Sequence, residues 1–189
     1  PFVTGMEQWL GTELNDENKA YLKDFGAATA SNGAVGLYHI ENLTPEAKEL
    51  GASLVAAQDA YLKFLRLNKL AIINMDWHSQ ILQAKNADSR DLGIVISYSG
   101  ETTEMIECMK IMKENKTPII AITRCVNSPV SELADQILYT TANESIFRSG
   151  AMASRTSHLN IIDILYTALA NDQYESSLEQ LSRTHIQKP

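Results

Sequence analysis

Short, uniformly apolar runs alternate with helical patterns through most of this 189-residue chain, and this alternation constrains the fold more than any other feature. Runs that are apolar at every position predict strands buried on both faces, as in a parallel sheet covered by helices. The predicted strands are 70–74, 92–97, 118–123 and 136–140, with 34–40 as a candidate first strand. The predicted helices are 52–67, 79–86, 102–115, 130–134, 149–169 and 171–184. We therefore predict a three-layer α/β/α sandwich with a mostly parallel sheet of about five strands.

The composition fits one globular domain of this kind, with 44% hydrophobic and 21% charged residues. The formal net charge of -7 argues against a chain that grips nucleic acid by itself, because phosphate backbones need a clustered basic surface. No apolar run is long enough to span a membrane. The two cysteines, Cys108 and Cys125, are too few for a disulfide scaffold. We expect a soluble, cytoplasmic protein that does not bind membranes.

The segment SYSGETTE, residues 97–104, follows a predicted buried strand and precedes a predicted helix. Ser97, Ser99 and Thr102 offer hydroxyl groups, and Gly100 lets a ligand approach the backbone closely. The free N–H groups at the helix start carry partial positive charge, and ligands of parallel sheets bind at this edge. The segment therefore predicts a phosphate-binding loop that needs no lysine. The alternative is that Ser99 or Thr102 only caps the helix.

Other sites of familiar chemistry are absent from the sequence. It contains no G-x-x-x-x-G-K-S/T loop, no G-x-G-x-x-G fingerprint, no G-x-S-x-G elbow and no H-E-x-x-H pair. The four histidines, at 39, 78, 158 and 185, lack metal-ligand spacing. We expect neither a metal nor another cofactor.

The stretch from Ser97 to Thr102 resembles the phosphosugar-binding loop of SIS (sugar isomerase) domains. The similarity extends beyond the loop to the SIS domain of bacterial RpiR/MurR-type transcriptional regulators. The segments that carry it, in order, are 51–67, 74–80, 118–135 and 144–170. The resemblance implies a SIS phosphosugar-binding domain over 51–185, preceded by an N-terminal extension, residues 1–50, of unclear form.

The resemblance also implies a ligand-binding role for seven residues, in which hydroxyl groups and the loop glycine hold a phosphate while other side chains face the sugar. These residues are Ser53, His78, Ser97, Ser99, Gly100, Thr102 and Glu144. For two of them a plainer interpretation stays open: His78 as a surface histidine after a strand, and Glu144 as a glutamate near a helix start. Arg124, Arg148 and Arg155 are candidates to reach the phosphate or a partner subunit.

The N-terminal region departs from the family pattern. Family members carry an apolar strand that runs directly into the loop matched here by 51–53, whereas residues 42–49 look like a helix start. Either 34–40 supplies the first strand, with a long excursion before Ser53, or the first strand is lost and the pocket is altered. Residues 1–50 do not resemble a helix-turn-helix domain, and the chain begins with Pro1 instead of Met. We expect a segment of a longer protein that contacts DNA only through a domain absent from this chain.

These observations favour an effector-sensing domain that binds a sugar phosphate and assembles as a homodimer or homotetramer through the helix in 149–170. That helix is apolar on most sides, which is typical of a subunit interface. The first alternative is a sugar-phosphate isomerase that interconverts aldose and ketose. Its acid–base candidates are Glu144, Glu101, His78 and His158. The second alternative is an oligomeric module without a ligand.

Overall fold

The computed structural model describes residues 35–39, 52–141 and 151–186. The strands are β1 (Val35–His39), β2 (Ala71–Ile73), β3 (Leu92–Ile96), β4 (Ile119–Arg124) and β5 (Gln136–Thr140). The helices are α1 (Ala52–Arg66), α2 (Trp77–Asn86), α3 (Thr103–Glu114), α4 (Pro129–Leu133), α5 (Met152–Asp172) and α6 (Tyr174–Arg183). Each predicted strand and helix listed above from 34 to 184 is present, with ends that differ by a few residues.

The five strands form one parallel sheet in the order β2-β1-β3-β4-β5. The chain runs from β1 to β2 on one side and then crosses to β3 on the other side of β1. This reversal lies between β1 and β3, and a crevice opens there at the carboxyl edge of such sheets. The predicted α/β class and the parallel sheet are confirmed.

The first strand is β1, which pairs with β3 from Val35 opposite Leu92 to His39 opposite Ile96. Of the two alternatives for this region, the loss of the first strand is therefore wrong. The predicted helix start within 42–49 lies outside the described residues, as do residues 1–33.

Two apolar cores cover the two faces of the sheet. Successive residues of a strand point to opposite faces, so Leu37 and Ile94 pack against α1 and α5 while Tyr38 and Val95 pack against α2, α3 and α4. The methionine stripe of α3, Met105, Met109 and Met112, is fully buried in the second core. Its role in the core is the one that the helical spacing predicts.

Helix α5 buries one face against the rest of the chain. Its buried residues recur every three or four positions and are Ser154, His158, Ile162, Leu165, Ala168 and Leu169. The adjacent apolar residues Ile161, Ile164 and Tyr166 are only partly buried. Within the described ranges, no helix is both long and apolar enough to cross a membrane.

Candidate functional site

The loop between β3 and α3 lies at the carboxyl edge of the sheet, beside the reversal in strand order. The buried hydroxyl of Ser97 is 3.2 Å from the hydroxyl oxygen of Thr102 and accepts a 3.3 Å hydrogen bond from the N–H of Gly100. The N–H of Glu101 donates to the Ser99 hydroxyl at 3.3 Å. These bonds close the loop on itself, so the Ser97 and Thr102 hydroxyl groups that the sequence singles out lie side by side.

Gly100 is required at the turn of this loop for two physical reasons. Its φ of 70° lies in the left-handed region that side chains disfavour. A Cβ at this position would stand 2.2 Å from Ser128 Oγ. The Gly100 carbonyl also accepts a 3.1 Å hydrogen bond from the N–H of Val130 in α4. The loop backbone is therefore held against the start of α4.

The N-terminus of α3 has no side-chain cap, unlike two neighbouring helices. Asp76 accepts from the N–H of Ser79 at the start of α2, and Ser128 accepts from the N–H of Ser131 at the start of α4. Thr102 is the N-cap residue of α3, yet its side chain makes no capping bond. The alternative interpretation of Thr102 as a helix cap is therefore wrong.

The first backbone N–H groups of α3 also lack hydrogen-bond partners within the helix. The first hydrogen bond of the helix runs from the Ile106 N–H to the Thr102 carbonyl at 3.0 Å. The N–H groups of Thr103, Glu104 and Met105 precede it, and such groups need a partner from outside the helix. An oxyanion in the loop would supply one and would also be favoured by the helix dipole.

Arg124 brings the positive charge to this edge. It ends β4, and its N–H donates to the Tyr98 carbonyl at 3.3 Å. One terminal guanidinium nitrogen is 3.9 Å from Glu101 Oε1, and the Arg124 Nε is buried without a hydrogen-bond partner. Because the pair with Glu101 is long and exposed to solvent, it is weak. The guanidinium group therefore stays available for an anion.

Two predicted ligand residues lie on other helices at the same edge of the sheet. Ser53 is buried in the first turn of α1, and His78 is exposed in the first turn of α2. Helices that connect parallel strands run antiparallel to them, so both first turns lie toward the carboxyl edge. Among the described residues, no hydrogen bond joins either side chain to the 97–102 loop.

Three further candidates are less informative. Glu144 and Arg148 lie outside the described residues. Arg155 is exposed on the second turn of α5. Among the described residues, no hydrogen bond or ion pair joins Arg155 to the 97–102 loop.

Sequence reasoning missed several residues that shape the site. Ser128 packs on Gly100, and the Thr123 hydroxyl donates to the Tyr98 carbonyl at 3.5 Å. The Tyr98 ring meets the buried His158 ring of α5 edge to face, with centroids 6.4 Å apart. Of these residues, only Ser128 could have been identified from the neighbouring sequence, because Ser before Pro is typical of a helix start.

The fold and the candidate site define a class: a parallel α/β domain with a hydroxyl-rich loop at the point where the strand order reverses. The family model of the SIS domain matches residues 50–168, well over half of the chain. The chain therefore belongs to the SIS domain family. The match begins after β1, so the sheet's first strand lies outside it.

A second family model, the second domain of aconitase X, matches residues 1–72. This match covers less than half of the chain and overlaps the SIS match over 50–72. It includes β1 and residues 42–49, where the sequence departs from the pattern of SIS regulators.

Two curated relatives are uncharacterised HTH-type transcriptional regulators. One, from Caldanaerobacter subterraneus, is 35% identical over 166 residues, which are 82% of this chain and 59% of that regulator. The other, YbbH of Bacillus subtilis, is 40% identical over 136 residues, 71% of this chain and 48% of that regulator. The chain thus spans about half to three-fifths of the length of these relatives.

Solved structures share the fold. NanR of Vibrio vulnificus, complexed with ManNAc-6P, has a TM-score of 0.73 at 22% identity and covers 97% of this chain and 65% of its own. The sugar isomerase domain of an RpiR transcription factor from Sphaerobacter thermophilus has a TM-score of 0.71 at 15% identity, with coverage of 96% and 92%. A putative sugar-phosphate isomerase from Listeria monocytogenes has a TM-score of 0.69 at 19% identity, with coverage of 86% and 81%.

Proposed function

We propose that the chain is the effector-sensing domain of an RpiR-type transcriptional regulator and that it binds a sugar phosphate in the 97–102 loop. The observation that carries the proposal is the uncapped start of α3 beside the paired hydroxyls of Ser97 and Thr102. The similarity to HTH-type regulators supports the regulatory role. The NanR structure, whose ligand is ManNAc-6P, supports the ligand class. DNA contact would belong to a separate domain.

The phosphate accounts for the polar groups of the loop. It would accept hydrogen bonds from the Ser97, Ser99 and Thr102 hydroxyls and from the first N–H groups of α3. Arg124 would offset its charge. Ser53 would contribute to the same pocket, and His78 and Glu144 would face the sugar. The ligand-binding unit would comprise residues 51–185, preceded by an N-terminal extension of residues 1–50 that contributes β1.

Occupancy of the loop would reach a partner subunit through α5. Tyr98 follows the first loop hydroxyl, and its ring packs edge to face on His158 of α5. Helix α1 packs on α5, and its Leu62 and Leu65 are 58% and 52% exposed. We propose a homodimer or homotetramer built on the α5 helix, whose arrangement a bound sugar phosphate shifts.

A sugar-phosphate isomerase is the second candidate, and the shared fold with the Listeria protein favours it. Moving a proton between sugar carbons needs a base within reach of the substrate. Glu101 faces Arg124 at the rim, His78 is exposed, and His158 is buried beside Tyr98. The similarity to HTH-type regulators makes the sensing role the better supported of the two candidates.

A thermal-shift screen against hexose, pentose and amino-sugar 6-phosphates separates the two functions. Inorganic phosphate and the unphosphorylated sugars serve as controls, and NMR follows every stabilising compound for conversion over hours. A sensor is stabilised only by compounds that carry both sugar and phosphate and leaves them unchanged. Conversion of the stabilising compound would establish the isomerase instead.

A further inference from the structure

A second cavity, of about 280 Å³, lies between α2 and the sheet. Its walls include Gly36 and Tyr38 of β1, Gln83 of α2, Gly93 of β3, and Asp91 and Thr117, which precede β3 and β4. The cavity extends along α2, from Asn74 and Ser79 toward the carboxyl edge of the sheet to Asp91 and Thr117 at its amino edge. None of its described lining residues belongs to the 97–102 loop.

Two glycines that line the cavity stand side by side in the sheet, and the space directly over them is filled by the Gln83, Tyr38 and Met112 side chains. Gly36 of β1 pairs with Gly93 of β3, so neither strand places a side chain on the α2 face at that point. A Cβ at Gly36 would lie 2.5 Å from the Gln83 amide nitrogen, and one at Gly93 would lie 2.6 Å from the Met112 sulfur. Gly36 and Tyr38 precede the segment that matches the SIS family.

Buried polar groups line the cavity without filling it. The Thr117 side chain is 2% exposed, and its hydroxyl has no hydrogen-bond partner among the described residues. Tyr38 is 1% exposed; its burial, together with nearby acidic groups, raises the pKa of the phenol, which stays protonated. The Gln83 amide oxygen accepts from Asn74, and the amide nitrogen lies over Gly36. A buried hydroxyl without a partner costs free energy that a bound donor or acceptor would recover.

The charges of the lining residues also favour an uncharged ligand over an anion. Asp91 is the one charged side chain among the described lining residues, and none of them is a lysine, arginine or histidine. A phosphate or carboxylate would meet repulsion with no compensating cation. Apolar walls come from Ile72 and Ala87, which suit the face of a flat ring.

We propose that this cavity binds an uncharged planar ring that carries a donor and an acceptor, of the size of an aromatic carboxamide. The ring would lie in the cavity beside Ile72 and Ala87. The carboxamide would exchange hydrogen bonds with the Tyr38 and Thr117 hydroxyls and the Gln83 amide. Because the site is separate from the loop, this proposal does not rest on the sugar-phosphate function.

Amide-detected NMR titration of the full chain tests the proposal with two matched pairs of probes, nicotinamide against nicotinate and benzamide against benzoate. Each pair keeps the ring and exchanges the neutral amide for a carboxylate. We expect saturable shifts of the Gly36, Gly93 and Thr117 amide signals with the two amides and none with the two acids. The Thr117→Val variant keeps the side-chain shape and removes the hydroxyl, and it should weaken amide binding roughly three- to tenfold.

Thr184→Val is the matched control, because the Thr184 hydroxyl bonds carbonyls at the end of α6, far along the chain from the cavity. It should leave the affinity unchanged. Absence of saturable shifts with both amides would overturn the proposal. Equal binding of the amides and the acids would also overturn it. The same would follow if Thr117→Val and Thr184→Val changed the affinity for the amides by the same factor.

Discussion

Gly100 and Ser128 touch at the base of the 97–102 loop so closely that a Cβ on Gly100 would lie 2.2 Å from the serine hydroxyl oxygen. The two residues are 28 positions apart in sequence, and they lie in two different connections between a strand and the helix that follows it. Their contact holds the 97–102 loop on the start of α4. The shape of the loop therefore depends on both.

Gly100→Ala should destabilise the protein by roughly 2–4 kcal/mol, because it combines a left-handed backbone with an overpacked contact. Urea unfolding measures the loss. Adding Ser128→Gly removes the atoms that the new methyl group meets and should recover the part due to the clash. A Gly100→Ala variant with the unfolding free energy of the wild type would contradict this description of the loop.

Thr102→Ala should weaken sugar-phosphate binding while leaving stability nearly unchanged, because the Thr102 side chain does not cap α3. Ser128→Ala is the comparison, since Ser128 forms a capping box with Ser131 and its loss should cost about 0.5–2 kcal/mol. Chemical denaturation without ligand compares the two. Equal losses of stability would show that Thr102 caps its helix after all.

Arg124 and Glu101 should have opposite effects on ligand affinity. Arg124→Gln removes the cation at the loop and should weaken sugar-phosphate binding by about tenfold. Glu101→Gln removes the carboxylate that competes for the guanidinium and should strengthen binding by up to about threefold, because an exposed pair is weak. Titration calorimetry at fixed ionic strength gives both values. If both variants changed the affinity in the same direction, Arg124 would not contact the ligand as proposed.

The two cysteines should react very differently. Burial and neighbouring carboxylates raise the pKa of Cys108 to about 12, so its thiol stays protonated in the folded protein, whereas Cys125 is exposed. In native protein at pH 8, one thiol per chain should therefore react with Ellman's reagent, and in unfolded protein two should react. A Cys125→Ser variant that still reacts rapidly when folded would contradict the burial of Cys108.

The Asp76 carboxylate should stabilise α2 in a pH-dependent way. Hydrogen bonds from Ser79 lower the pKa of Asp76 below its ordinary value of 3.8, so the charged form contributes stability above that value and loses it as the pH falls through the folded pKa. Asp76→Asn keeps a capping side chain without the charge. The stability gap between wild type and variant should be largest above pH 5 and close toward pH 2. A gap that does not vary with pH would exclude the charge effect.

The apolar runs were enough to predict the sheet, since a strand buried on both faces needs no partner to be recognised. Strand order was not predictable in this way, because it depends on pairings such as Val35 with Leu92 that no local pattern records. The first strand was ambiguous for a related reason. Gly36 interrupts its apolar pattern, and the segment after it looks like a helix start.

The loop residues 97–102 were recognisable because they are contiguous, but their supports were not. His158 meets the Tyr98 ring from 60 positions away, and Ser128 meets Gly100 from a different connection. The excess of apolar residues in α5 predicted burial on several sides, whereas Ile161, Ile164 and Tyr166 are only partly covered by the chain itself. Whether a partner covers the rest depends on assembly, which the sequence does not encode locally.

The central claim is that a sugar phosphate binds in the 97–102 loop, and calorimetric titration of a sugar 6-phosphate into wild type, Thr102→Ala and Thr184→Ala tests it most directly. The proposal predicts saturable binding to the wild type and to Thr184→Ala, with affinity at least about threefold lower in Thr102→Ala. It also predicts no binding of the unphosphorylated sugar. Equal affinity in all three proteins, or no binding of any sugar phosphate, would contradict it.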